Sequence, residues 1–216
     1  VTDSSVVTGD VWNLTTCAAP GLIGYWTFDD GEGTTAADSS GYGHDGTLVN
    51  MDPVTSWVTG QIGGALSFDG IDDYVQVADS TEGYETLTIA LWVNIYELTN
   101  YFSGLVLSDG WTNGDVHFQI EQTGHVKFSV KGTDPVDQGS NFAFGTDDFN
   151  EWHHIAVVYR KVDKTVDFYI DGRINVRRYY TTTIDATLGS FQIGNWDGQN
   201  RTFNGALDDV RLYNYA

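Results

Sequence analysis

Three carboxylates, Asp69, Asp72 and Asp73, fall within five residues of "ALSFDGIDDYVQV" (65–77), beside Gly70. The flanks alternate as strands should: Leu66 and Phe68 point one way, and Val75 and Val77 share a face. Two chemistries suit an acidic turn of this kind. Asp and Gly are ordinary turn formers, with carboxylates that accept from nearby backbone N–H groups. A hard cation, by contrast, collects carboxylate and carbonyl oxygens from such turns. The loop "DSSGYGHDG" carries Asp38 and Asp45, and turn chemistry accounts for it equally well. The segment "GALDDVRLYN" poses the question again near the C-terminus. Alternation puts Asp208, Val210 and Leu212 on one side and Leu207, Asp209, Arg211 and Tyr213 on the other. With Val210 and Leu212 toward the core, Asp208 points inward, out of phase with Arg211. A buried, unpaired carboxylate is costly, so Asp208 needs a cation or several donors.

A second chemistry lies in two polar loops. "SDGWTNGD" carries Trp111 and Asn113, and "GNWDGQNRTF" carries Trp196, Asp197, Asn200 and Arg201. A large apolar ring in a loop dense in Asp, Asn and Gly either plugs the end of a fold or serves as a platform. Sugar rings are held by such platforms, through stacking on C–H faces and directional hydrogen bonds from Asn, Asp and Arg. Tyr101, in "LTNYFSG", is a third candidate platform. Nucleophilic and metal-hydrolytic constellations are weak. Cys17 is the sole cysteine and lies in a segment with linker character, and no zinc motif is present. His153 and His154 are adjacent on a strand and point to opposite faces. His117 and His125 are placed to approach each other across a 116–130 hairpin.

The elements that must position these groups are short strands. From Gly21 onward "GLIGYWTFDD", "GALSFDG", "DYVQV", "LTIALWVNI", "SGLVLSDG", "DVHFQIEQ", "GHVKFSVKG", "EWHHIAVVYRK", "TVDFYIDGRI", "SFQIGN" and "GALDDVRLYN" recur between polar turns. Asp171-Gly172 is a two-residue hairpin signal. No helix longer than about a turn is expected, and strands without crossover helices predict an all-β antiparallel sandwich of jelly-roll type. Residues 1–20 read as a linker or the tail of a preceding module, and 21–216 as one β-sandwich domain. Net charge is −20 and only six of the thirty acidic residues are Glu, so the charge sits largely in loops. That balance speaks against nucleic acid and anionic membrane as partners. No apolar run is long enough to span a membrane, and no signal peptide is seen.

"GLIGYWTFDDGEGTTAADSSGYGHDGTL", "WVTGQIGGALSFDGIDDYVQV", "LTIALWV", "EWHHIAVVYRK", "VDFYIDG" and "GALDDVRLYN" resemble, in that order, the laminin G-like domains of the concanavalin A-like lectin and glucanase superfamily. The resemblance covers residues 21–216 and implies two large antiparallel sheets. It also implies a carbohydrate- or protein-binding role in secreted or cell-surface, multi-domain, often bacterial proteins. Glucanases of this superfamily carry an E-x-D-x-E strand, because retaining hydrolysis needs two carboxyls about 5–5.5 Å apart. This chain has none, so a non-catalytic carbohydrate-binding module is expected, with an adhesion or spacer domain as the alternative and a glycoside-active enzyme, with Glu121 as its cross-strand carboxylate, as a third reading. Related sandwiches also hold a structural Ca²⁺, whose ligands include an Asp that begins the final D-x-V-R-x-Y strand. The resemblance thereby assigns Asp208 to calcium, with Asp29, Asp69 and Gly70 as companions. Trp26, Trp57, Trp92 and Trp152 lie in the matching blocks and are expected to pack in the core or between the sheets.

Overall fold

A computed structural model describes residues 21–196 and 200–216, with the side chains of 79–81 left aside. The expected linker, residues 1–20, and the candidate Asp197 lie outside the described residues. Among the described residues there are sixteen strands: β1 (Leu22–Trp26), β2 (Thr35–Ala36), β3 (Gly46–Val49), β4 (Trp57–Thr59), β5 (Gly64–Asp69), β6 (Tyr74–Tyr84), β7 (Thr86–Glu97), β8 (Phe102–Ser108), β9 (Val116–Glu121), β10 (His125–Val130), β11 (Asp137–Ala143), β12 (Trp152–Arg160), β13 (Thr165–Ile170), β14 (Arg173–Tyr179), β15 (Ala186–Ile193) and β16 (Asn204–Tyr213). The one helical turn among the described residues is a 3₁₀ turn, Thr146–Asp148.

Two antiparallel sheets form the expected jelly-roll sandwich. One runs β14-β13-β12-β7-β16-β5-β4, with β1 also paired to β16; the other runs β11-β10-β9-β8-β15-β6-β3-β2. The core follows from period-two alternation. Leu87, Ile89, Leu91, Val93 and Ile95 of β7 meet Val116, Phe118 and Ile120 of β9 in one buried cluster. The Asp171-Gly172 hairpin forms as its sequence dictates. Ile170 pairs with Arg173, and both turn residues have positive φ, 49° and 72°, which matches a right-twisted pair of strands.

The same alternation corrects two readings. Trp92 and Trp152 are half-buried on the outer face of their sheet, in phase with His154 and opposite to core-facing Leu91 and Ile155. Trp26 and Trp57 are in the core as expected. His117 and His125 do not meet: His117 pairs with Ser129, four positions along from His125. His153 and His154 do diverge, His153 toward Asp171 and His154 onto the Trp92 ring.

Candidate functional site

On β9 the residues facing away from the core are His117 and Gln119, yet both are almost wholly buried, at 1% and 2% exposure. What covers them is the pair of loops singled out by their tryptophans. The loop before β9 brings Trp111, and the loop between β15 and β16 brings Trp196 and Arg201. A glycine in β8 makes the second approach possible. Gly104 N–H donates to the Arg201 carbonyl at 2.7 Å, and a Cβ at Gly104 would lie 3.0 Å from that oxygen. The backbone at Arg201 thus approaches the sheet where no side chain obstructs it.

Arg201 is the centre of this cover. Its Nη1 donates to Gln119 Oε1 at 2.7 Å and lies 3.1 Å from His117 Nδ1. Guanidinium only donates, so Nδ1 accepts and the imidazole carries its proton on Nε2. The guanidinium carbon sits 4.6 Å from the Trp196 ring centre and 4.9 Å from that of Phe102. No carboxylate pairs with Arg201 among the described residues; aromatic faces and neutral acceptors hold its charge. Burial, with the Arg201 charge beside it, pushes His117 down to about 4. Its Nε2 has no hydrogen-bond partner among the described residues.

The three candidate platforms end in different places. Trp196 is a plug: it is 7% exposed, stands edge-on to His117 at 4.6 Å, and donates its indole N–H to the Asp109 carbonyl at 2.9 Å. Of the two alternatives left open by the sequence, Trp196 takes the plug and not the platform, because the ring folds onto the outer sheet face despite its polar neighbours in sequence. Trp111 is half-exposed and lies 4.2 Å from His117 at a shallow angle, with Lys131 Nζ 5.4 Å from its ring centre. Tyr101 is 68% exposed. It borders an open cleft of about 400 Å³ lined by Asn100, Tyr101, Phe102, Asn200 and Arg201. Asn100 is held at its floor by donating to the Thr202 carbonyl and hydroxyl. Exposed Asn113 lies instead beside Gly132 on the Trp111 side.

The carboxylates divide into separate groups. Asp208 is fully buried but does not face the core. Leu207, Val210 and Leu212 all belong to the core cluster. A bulge between Asp208 and Arg211, with Asp209 at φ 56°, resets the phase of the strand. Asp208 therefore lies under the Gly60–Gly64 loop. Its Oδ2 accepts from Ile62 N–H at 2.8 Å, and its Oδ1 has no partner among the described residues. Asp29 grips the same loop, accepting from Gly64 N–H at 2.6 Å. Space is minimal: a Cβ at Gly60 would lie 2.6 Å from Asp208 Oδ2, and one at Gly63 2.2 Å from Asp29 Oδ1. Burial pushes Asp208 up to about 6, aided by the charges of Asp209 and Asp29. Arg211 serves Asp209 instead, at 2.6 Å.

Asp69 and Gly70 stand apart from that pair. Asp69 pairs with Asn204 and Leu66 with Leu207, so Asp69 is about 13 Å along the strand from Asp208 at ~3.3 Å per residue. Its companions are Asp72 and Asp73, with a ligand atom from each within 4.8 Å of the others. Their hydrogen bonds are those of a turn: Asp73 Oδ2 accepts from Asp69 N–H, and Asp69 Oδ1 from Ile71 N–H. Asp38 likewise accepts from the N–H groups of Tyr25, Ser40 and His44.

Known proteins share this architecture. Domain 4 of an extracellular arabinanase from Geobacillus stearothermophilus, solved with arabinotriose, superposes with a TM-score of 0.63 at 20% identity, over 89% of this chain and 92% of that one. The receptor-binding domain of botulinum neurotoxin D gives 0.67 at 14% identity, over 90% of this chain and 49% of its own. Trypanosoma rangeli sialidase gives 0.63 at 16% identity, over 90% of this chain and 30% of its own. This chain thus spans about half of the toxin domain and a third of the sialidase. No curated protein sequence matches it. The family pattern described as the concanavalin A-like lectin/glucanases superfamily matches residues 69–216, more than half of the chain, and with the two-sheet sandwich already described this chain belongs to that superfamily.

Proposed function

We propose that this domain is a non-catalytic carbohydrate-binding module of a secreted, multi-domain protein, and that it binds glycan across Tyr101, Arg201 and Trp111. The observation that carries the reading is the open cleft whose wall is an exposed tyrosine and whose base is an arginine with no carboxylate partner among the described residues, already fixed by Gln119. A sugar needs an apolar face and pre-aimed donors, and both are in place before ligand arrives. Arabinotriose in the arabinanase domain supports neutral oligosaccharides as the first probes. Catalysis is disfavoured because the chain carries no E-x-D-x-E strand, and in the Asp69–Asp73 cluster Asp69 and Asp73 each accept from the turn itself. A structural Ca²⁺ belongs at Asp208 and Asp29, with carbonyls of the Gly60–Gly64 loop. The orphaned Oδ1 fits a ligand role, and two carboxylates across one glycine loop offer the all-oxygen set that Ca²⁺ takes.

Tyr101→Ala and Trp111→Ala should each weaken oligosaccharide binding by about tenfold, since losing a stacking partner costs about 1–2 kcal/mol. Melting should barely move for Tyr101→Ala, because no cavity opens. Titration calorimetry against arabino- and gluco-oligosaccharides reads the effect. Unchanged affinity in both variants would remove the glycan from this face and leave the adhesion or spacer reading.

A further inference from the structure

A second cleft lies away from Tyr101, at the seam between β10, β11 and β14. It has a volume of about 450 Å³ and is lined by His125, Lys127, Gln138, Gly139, Ser140, Asn141 and Arg178. No carboxylate is among the lining residues, in a chain with three acidic residues for every basic one. Arg160, Lys161, Arg177 and Arg211 are all ion-paired. Lys127 and Arg178 have no ion pair among the described residues, as is also true of Lys131, Lys164, Arg173 and Arg201, but only these two share a cleft. Lys127 Nζ has neither an ion pair nor a hydrogen bond among the described residues. Arg178 is held by neutral acceptors, its Nε on the Gly139 carbonyl at 2.8 Å and its Nη2 on Asn141 Oδ1 at 2.8 Å. That leaves Nη1 and the Asn141 amide N–H groups for something else.

Both cations converge on Gly139. Arg178 binds its carbonyl, and a Cβ there would come within 3.2 Å of Lys127 Cδ and 3.4 Å of Nζ. Gly139 has none of the positive φ angles that demand glycine. A glycine in a strand interior costs stability, and where backbone geometry does not call for it, it marks a place that something approaches closely. Here the missing side chain is the floor of the cleft. A net charge of −20 repels anions at long range, so only a local pair of cations within bonding distance can recruit one.

We propose that this cleft binds an acidic sugar unit, a carboxylate- or sulfate-bearing residue of a polysaccharide, between Lys127 and Arg178. The sugar part rests on the glycan-binding reading above; the anion part rests on this cleft alone. Arg178 presents its remaining N–H groups and Lys127 its ammonium to the acid, while Asn141 donates to a ring hydroxyl.

Tri-galacturonic acid, its fully methyl-esterified counterpart and inorganic sulfate are the probes, titrated calorimetrically at low and high salt. The acid should bind wild type, weaken as salt rises, and lose about tenfold in affinity in Lys127→Gln, the loss expected for one charge-assisted contact. Lys127 Nζ makes no hydrogen bond or ion pair among the described residues, so this variant should fold normally, with melting as the check. Gly139→Ala should weaken the acid several-fold by displacing Lys127. Equal binding of acid and ester, or unchanged binding by Lys127→Gln, overturns the proposal. Sulfate binding as tightly as the oligosaccharide reduces it to a bare anion site and overturns the sugar assignment. The two clefts separate cleanly: Tyr101→Ala acts on the ester and Lys127→Gln on the acid, so either reading can fail alone.

Discussion

Removing divalent cations with a chelator should lower the melting temperature of this domain by about 5–10 °C, and millimolar Ca²⁺ should restore it. A ligand bound only by the native state contributes about 2.7 kcal/mol at a hundredfold excess over Kd, and 1 kcal/mol moves Tm by about 2–4 °C at this chain length. The reason lies in Asp208, which is fully buried with one carboxylate oxygen unpartnered among the described residues. On the calcium reading proposed above, the cation would remove the cost of that orphan and of the nearby Asp29 charge. Asp208→Asn should melt at the same temperature with and without Ca²⁺, since the amide supplies its own donor and carries no charge. It should also be more stable than chelated wild type at neutral pH. Identical melting of wild type in chelator and in Ca²⁺ would end this assignment.

Acidification from pH 7 to 4 should cost wild type about 3 kcal/mol more stability than it costs His117→Gln, a difference in Tm of about 6–12 °C. His117 is pushed from 6.5 down to about 4, first by burial and then by the Arg201 charge. Between those values the unfolded chain binds the proton and the folded chain does not. The stability is therefore whole above pH 6.5 and is lost as pH falls toward 4. A proton on His117 sets a second cation against Arg201 and turns Nδ1 from acceptor to donor, so the loop that carries Arg201 should lift with it. Asp73 and Asp208, both pushed up to about 6 by burial, act in the opposite sense over part of this range. The difference between wild type and variant is thus the quantity to measure. Glutamine keeps an acceptor for Arg201, and parallel profiles for the two proteins would contradict the burial of His117.

The sandwich was legible because alternation is a local signal: each strand's core face is written in every second residue. The Asp171-Gly172 turn was legible for the same reason. Asp208 was legible as a buried carboxylate, but the strict alternation used to reach it failed. The bulge at Asp208–Asp209 resets the phase, and nothing local announces a bulge unless a glycine marks it. Asp69 looked equivalent to Asp208 by residue type, and only strand register separates them. Trp196 shows the limit for loops. Polar neighbours argue for exposure, yet the sheet below supplied His117 and Asp109 as partners. A signal for that cover was present in the strand itself. His117 and Gln119 are not the Thr, Lys and Glu of a solvated strand face; with Gln76 and Gln192 on the same face they are polar groups that tolerate burial when bonded. The cleft at Gly139 was not legible, because Lys127 and Arg178 come from different sheets.

The pairing of β1 with β16 has a mechanical meaning. Leu22 lies opposite Tyr213, Asn214 N–H donates to the Gly21 carbonyl, and Gly21 has no room for a Cβ against Tyr215. In any longer polypeptide that entered at Gly21 and left at Tyr215, both connections would lie at one spot, and the sandwich would hang from it as a pendant. Tension along that polypeptide would not stretch the sheets lengthwise. It would part β1 from β16 at their shared end and open the rungs singly, like a zipper, before any load reached the core.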